Sequence, residues 1–130
     1  MTAPTAKLRK SIYARDGHAC MDCGTNYQLT FQHREASGHG GRGRKAPPLT
    51  AAEGITLCLR CNEACEAEGQ TRAFMLGYKT RRNRGNFPAH RIPVYERSTR
   101  FWWLLDEDGG REAIQPAFAA ELLGAAGSIP

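Results

Sequence analysis

The spacing of apolar positions changes several times along the chain, and each change marks an element. Between residues 6 and 15, Leu8 and Ile12 fall four apart with Ala14 beside them, while Lys7, Arg9, Lys10 and Arg15 take other positions. That pattern predicts a short helix with one apolar side and a basic outer face. Asp16-Gly17 ends it, because glycine suits the left-handed cap position. At 27–33 the period drops to two. Tyr27, Leu29 and Phe31 alternate with Gln28, Thr30 and Gln32, which predicts a half-buried strand with His33 at its end. Residues 34–53 read as a long loop rich in Gly, Pro, Arg and Lys. The apolar run 54–57 predicts a second strand, antiparallel to 28–32, so that the loop becomes the tip of a hairpin. Residues 62–78 predict a helix with Asn62 as N-cap, Glu63, Glu66 and Glu68 in its first turns, Gly69 as a weak point and Gly77 as C-cap. Pro88 argues against a regular element in 79–91. Three strands follow at 92–95, 101–105 and 111–114, with a turn at 96–100 and another at Asp108-Gly109-Gly110. Trp102 and Trp103 are adjacent on a strand and so face opposite sides, which predicts that at least one is half exposed, with sheet packing favoured over base stacking as its use. A short helix at 116–123 and a tail at 124–130 complete the chain.

A chain of 130 residues predicts one α+β domain with appendages. The boundaries fall at 1–19 for a basic arm and helix, 20–78 for the core, 79–91 for a basic linker, and 92–130 for an antiparallel hairpin or three-strand extension with its tail. A core this small benefits from a staple. Cys20-Met21-Asp22-Cys23 and Cys58-Leu59-Arg60-Cys61 supply one: two CxxC turns can present four thiolates to a single Zn²⁺ in a tetrahedron. The pairs lie about 35 residues apart, so a subdomain must fold between them. A redox CxxC would explain only one pair, and no βαβ pattern surrounds either. Cys65 makes the count odd, which points to a reducing compartment rather than a disulfide framework, and it reads as a small packing residue. No apolar run resembles a signal peptide or is long enough for a bilayer, so the expectation is a soluble, cytoplasmic protein with no membrane partner.

Charge is uneven. Residues 1–100 hold 17 Lys and Arg against 8 acids, whereas 101–130 hold one Arg against five acids. A polyanion is the partner this asymmetry suggests for the first part. Arg34, Arg42, Arg44 and Lys45 in the long loop, with Arg81, Arg82 and Arg84 in the linker, are the candidate phosphate contacts.

His33 is the histidine with a defined address beside the cysteine scaffold. A strand-end histidine facing a helix start can act as general base on a water, with a nearby divalent cation stabilising charge on a phosphate. The order CxxC, "FQHREASGHGG", "GITLCLRCN", helix resembles the zinc-stapled HNH endonucleases, the ββα-metal or His-Me finger fold. The loop, together with the later "GYKTRRN" and "RIPVYERSTRFWWLLDEDGG", resembles the HNH proteins of actinobacterial phages. The resemblance covers roughly residues 8–114. It implies a small ββα-metal core stapled by the four-cysteine zinc site. It also implies that His33 is the general base, that Gln32 and Asn62 hold a catalytic Mg²⁺ or other divalent cation, and that Glu53 stands where an orienting Asn is usual. The implied activity is hydrolysis of DNA, double-stranded and read with low sequence specificity, in a host bacterial cytoplasm if phage-encoded. Gln32 and Asn62 offer neutral amide oxygens where a hard cation prefers a carboxylate. The rival expectation is therefore a zinc module of the same scaffold that binds nucleic acid or a host protein without cutting. His39 in the loop is a further candidate ligand.

Overall fold

In a computed structural model, which describes residues 3–35, 48–66, 68–81 and 87–129, the chain forms an α+β arrangement of four helices and two antiparallel sheets. Arg42, Arg44, Lys45, Arg82 and Arg84, with His39, lie outside the described residues.

The first helix, α1, runs Ala6–Arg15 as the periodicity predicts, with the Thr5 side chain accepting from Leu8 N–H at its start. Leu8 and Ile12 pack against Phe31, Ala51 and Leu49, whereas Ala14 is exposed and takes no part in that side. Nor does Arg15 join a basic outer face. Its side chain is only 2% exposed, and its guanidinium binds Asp16 at 2.8 Å and the carbonyls of Ala51 and Gly54. Asp16 in turn accepts the backbone N–H of Thr56, so the helix end is bolted to the hairpin.

That hairpin pairs β1 (Leu29–His33) with β2 (Gly54–Cys58), in register from Leu29 opposite Cys58 to His33 opposite Gly54. The strand starts two residues later than the alternation suggests. Gln28 takes a left-handed φ of 52°, and Tyr27 is 71% exposed. Side chains alternate across the pair. Phe31, His33 and Thr56 share one face, on which Phe31 packs against Ile12 of α1, while Thr30, Gln32, Ile55 and Leu57 share the other, and Leu29 at the cysteine end packs against the main core. Gly54 is required here: a Cβ would overlap the Phe31 ring.

The predicted single helix over 62–78 is two. One, α2, spans Leu59–Ala64, and the other, α3, spans Gln70–Met75 with Gly69 as its N-cap. Tertiary packing overrides propensity at the break. Cys65 at the end of α2 is buried, and Ala73 and Tyr78 after the break reach the same core as Ile55, Leu57 and Met21. Asn62 is not the N-cap. Cys58 is, and its Sγ accepts from Cys61 N–H at 3.4 Å, so the cap is a cysteine four residues before the expected one.

The second sheet has the order β3 (Val94–Glu96), β4 (Phe101–Leu105), β5 (Arg111–Ile114), followed by α4 (Pro116–Ala125). The Asp106 carboxylate accepts from the N–H groups of Asp108 and Gly110 and so closes the predicted turn. Trp103 joins the main core, and Trp102 joins a smaller cluster with Ile92, Leu123, Ala126 and Phe87. Both tryptophans are thus sheet-packing residues, on opposite faces. The tail contributes Ala126 and Ser128 to the interior.

Arg34 departs furthest from expectation. It is fully buried and cannot meet a phosphate. Its guanidinium donates to four backbone carbonyls: Gly77 at 2.8 Å, Ala52 at 2.8 Å, Ala89 at 3.1 Å and Ile92 at 2.6 Å. Its own N–H and C=O pair with Glu53 and Thr80. Burial pushes the guanidinium down to about 9, which still leaves it charged at neutral pH. One side chain therefore joins the hairpin end, the 3-10 turn Ala51–Glu53, the exit of α3 and the 3-10 turn Ala89–Arg91. Arg34→Met should cost ~3 kcal/mol or more, because an apolar side chain strands several buried acceptors at once. Arg34→Lys should recover only part of that, since an ammonium cannot span four divergent carbonyls. Denaturant unfolding of the zinc-loaded protein measures both.

Candidate metal centre and strand-end site

Each CxxC turn builds half of a sulfur cluster in the same way. Cys23 N–H donates to Cys20 Sγ at 3.4 Å, and Cys61 N–H donates to Cys58 Sγ at the same distance. In the first turn Gly24 adopts φ 79°, which returns the chain toward β1 and lets its N–H bond the Cys20 carbonyl. Met21 N–H bonds Thr56 O and Leu59 N–H bonds Gln28 O, so each turn is tied to the hairpin. The four Sγ atoms lie within 4.8 Å of one another, with Cys23 and Cys58 3.7 Å apart. A tetrahedron with Zn–S bonds of ~2.3 Å has sulfurs ~3.8 Å apart, so the cluster fits zinc closely. Among the described residues it is the one group of three or more Cys, His, Asp and Glu side chains arranged to share an ion. Burial raises the Cys20 and Cys61 thiols above their ordinary value, and a dication supplies the charge that lets four thiolates coexist there. Cys65 stays outside the cluster. Its thiol donates to Cys61 O, and burial pushes it up to about 11.

A cleft of about 360 Å³ opens beside the sulfurs, lined by Asp22, Cys23, Arg60, Cys61, Ala64, Arg72 and Arg97. Arg72 grips Asp22 through two 2.8 Å bonds, and Arg97 joins at 3.1 Å while donating to the Asp22 carbonyl. The Arg72 guanidinium holds the Asp22 carboxyl below the usual range. Four thiolates on one Zn²⁺ leave two negative charges, and Asp22 adds a third. Arg60, Arg72 and Arg97 balance them. Arg72 and Arg97 were not legible as site residues, because no local motif joins positions 22, 72 and 97.

The strand-end residues divide between two faces. Asn62, inside α2, donates from Nδ2 to Thr30 Oγ1 at 2.8 Å. That sets it on the hairpin face shared by Thr30 and Gln32. Gln32 is 3% exposed, and its Nε2 donates to the carbonyls of Tyr78 and His33. His33 is half-buried on the other face, its ring edge-on to Phe31 with centroids 5.0 Å apart. Glu53 precedes the residue paired with His33, and its Oε2 accepts from Thr50 N–H at 2.7 Å. The structure thus brings Asn62 to the Gln32 side of β1 and gives His33 the opposite side, whereas the sequence reading had His33 face the helix start. Of the remaining candidates, Arg81 is exposed, donating to Gly127 O and lying 4.3 Å over the Phe74 ring. Lys79, also in the basic stretch, is buried and paired with Glu66 at 3.1 Å.

No protein-family model, curated protein or solved structure matches the chain. Among the described residues, no helix is long and apolar enough to cross a membrane.

Purified protein should carry one zinc per chain by elemental analysis, and a Co²⁺-exchanged sample should show tetrahedral thiolate absorption bands. Cys58→Ala should abolish both and unfold the hairpin, since it removes a ligand and the N-cap side chain of α2 together. Arg72→Gln and Arg97→Gln should leave the ion bound but speed its transfer to a chromogenic chelator severalfold.

Proposed function

We propose that the chain is a metal-dependent endonuclease of the HNH type, cutting phosphodiester bonds of double-stranded DNA with low sequence specificity. The observation that carries this reading is the bond from Asn62 to Thr30. It seats the residue following Cys61 against Thr30 of β1, two positions from Gln32 and three from His33. A hairpin followed by a metal-stapled helix is the arrangement that the resemblance implies. Neighbouring strand residues face opposite sides, so a phosphate lying across the end of β1 can be met from both. On one side Asn62 and Gln32 supply amide oxygens for a divalent cation, which stabilises the developing charge when bound. On the other, His33 takes the proton of the attacking water. The zinc is structural and separate.

Net charge of +5 supports a polyanionic substrate, although Arg34 is withdrawn from the contact set. Lys7 and Lys10 on α1 and Arg81 are exposed and available to phosphates, and Arg42, Arg44, Lys45, Arg82 and Arg84, outside the described residues, complete the proposed contact set. A second reading, a binding module that no longer cuts, is favoured by one observation. Gln32 and Asn62 are neutral, and no carboxylate cluster accompanies them among the described residues.

Zinc-loaded protein should nick supercoiled plasmid only when Mg²⁺ or Mn²⁺ is added. His33→Ala, checked for folding, should lower the rate at least a hundredfold. Binding should weaken steeply with salt. Salt-sensitive retention of DNA with no cutting under any ion would instead establish the binding module.

A further inference from the structure

The four cysteines of the cluster are equal as ligands but unequal in access. Cys20 and Cys58 are buried, Cys61 is half-buried and Cys23 is exposed. Of the four, Cys23 and Cys61 line the cleft beside the cluster. A small solute entering that cleft therefore meets the Cys23 sulfur first. Zinc holds its cysteines as thiolates, and the thiolate is the form that hydroperoxides oxidise. Arg60, Arg72 and Arg97 line the same cleft, so an oxygen leaving with negative charge departs among cations. The Cys58 Sγ stands 3.7 Å from the Cys23 Sγ, across the two turns. That same Cys58 atom accepts the Cys61 N–H and caps α2.

We infer that the sulfur cluster is a redox-sensitive latch: a hydroperoxide oxidises Cys23, Cys58 closes on it as a disulfide, and the metal and the cap of α2 are lost together. In the first step the Cys23 thiolate attacks one peroxide oxygen. The O–O bond breaks, hydroxide leaves, and Cys23 becomes a sulfenic acid. In the second, the Cys58 thiolate attacks that sulfur and expels a second hydroxide. Two sulfurs have each given up one electron, two oxygens have each gained one, and two solvent protons turn the hydroxides into water. Cys20 and Cys61 remain as thiolates, too few to retain Zn²⁺ in a four-coordinate site. The disulfide also takes the sulfur that received the Cys61 N–H, so α2 loses its first turn. Asn62 leaves Thr30 with it. Because the new bond ties the two turns to each other, a reductant and fresh zinc can restore the folded arrangement.

The test treats the zinc-loaded chain with hydrogen peroxide and follows three readouts. A chromogenic chelator reports zinc release, circular dichroism reports helix, and mass spectrometry of alkylated peptides reports which sulfurs are joined. Wild type should release its zinc as a Cys23–Cys58 linked peptide appears and helix signal falls, and dithiothreitol with added Zn²⁺ should reverse all three. A 1,3-dione that traps sulfenic acids should label Cys23 before the other cysteines. Cys23→His keeps a four-ligand zinc set and should release zinc at least tenfold more slowly. Cys65→Ala should match wild type within about twofold. A disulfide within one CxxC turn, a crosslink to Cys65, or first labelling at a cysteine other than Cys23 overturns the inference. So does a Cys23–Cys58 disulfide formed with zinc and helix retained. Trapping and peptide mapping are made on wild type, so they decide the matter even where Cys23→His fails to hold the metal. None of the readouts uses DNA, so the result stands whether or not the chain is a nuclease.

Discussion

Everything in the hairpin half of this molecule depends on four sulfur atoms being brought to one point. The elements they join are too short to stand alone: strands of five residues and a helix of six. Isolated helices of that length do not persist in water, and a two-stranded hairpin is marginal at best. The cluster compensates by making turn, strand end and helix start share atoms. Cys58 closes β2, caps α2 and offers a ligand, so three local structures stand or fall with one side chain. The charge this concentrates is answered from a distance by Arg72 and Arg97 through Asp22, which couples α3 and the β3–β4 turn to the metal centre.

The other half is held by a different device. Arg34 collects carbonyls from segments that have no regular partner, and so replaces a ladder where none can form. A buried cation is costly to desolvate. Four acceptors offset that cost and explain how an arginine comes to lie among backbone rather than at the surface. Its neighbour His33 is consequently anchored at the end of a strand whose next residue cannot move. The strand-end site therefore rests on a rigid base, although its members belong to two elements.

Much of the fold was legible in the sequence, for physical reasons that can be named. The period of two gave the hairpin and its antiparallel sense. The spacing of Leu8 and Ile12 gave α1 to the residue, and β4 and β5 followed from their bounding turns. Cysteine spacing gave the metal cluster, because two-residue gaps leave little geometric freedom. The misreadings share a cause. Arg15, Arg34 and Lys79 look like surface cations in one dimension, and only tertiary partners such as the Ala51 and Ala52 carbonyls or Glu66 reveal them as interior groups. The break between α2 and α3 was likewise set by what Cys65, Ala73 and Tyr78 must reach, not by propensity. At the strand end, alternation was sufficient to separate His33 from Gln32, yet placing Asn62 required the Thr30 contact, which no pattern announces.

The sulfur cluster also sets an order of events during synthesis. Its two halves are separated by 35 positions between Cys23 and Cys58. The first pair therefore leaves the ribosome as a bidentate chelate with two places open, and must wait for most of the hairpin to follow. Only when Cys61 has emerged can the ion be enclosed, and at that moment β2 finds β1 and α2 acquires its cap. Capture of the metal and closure of the hairpin are then a single late step. Until it is taken, the nascent chain exposes free thiols and an unpaired strand.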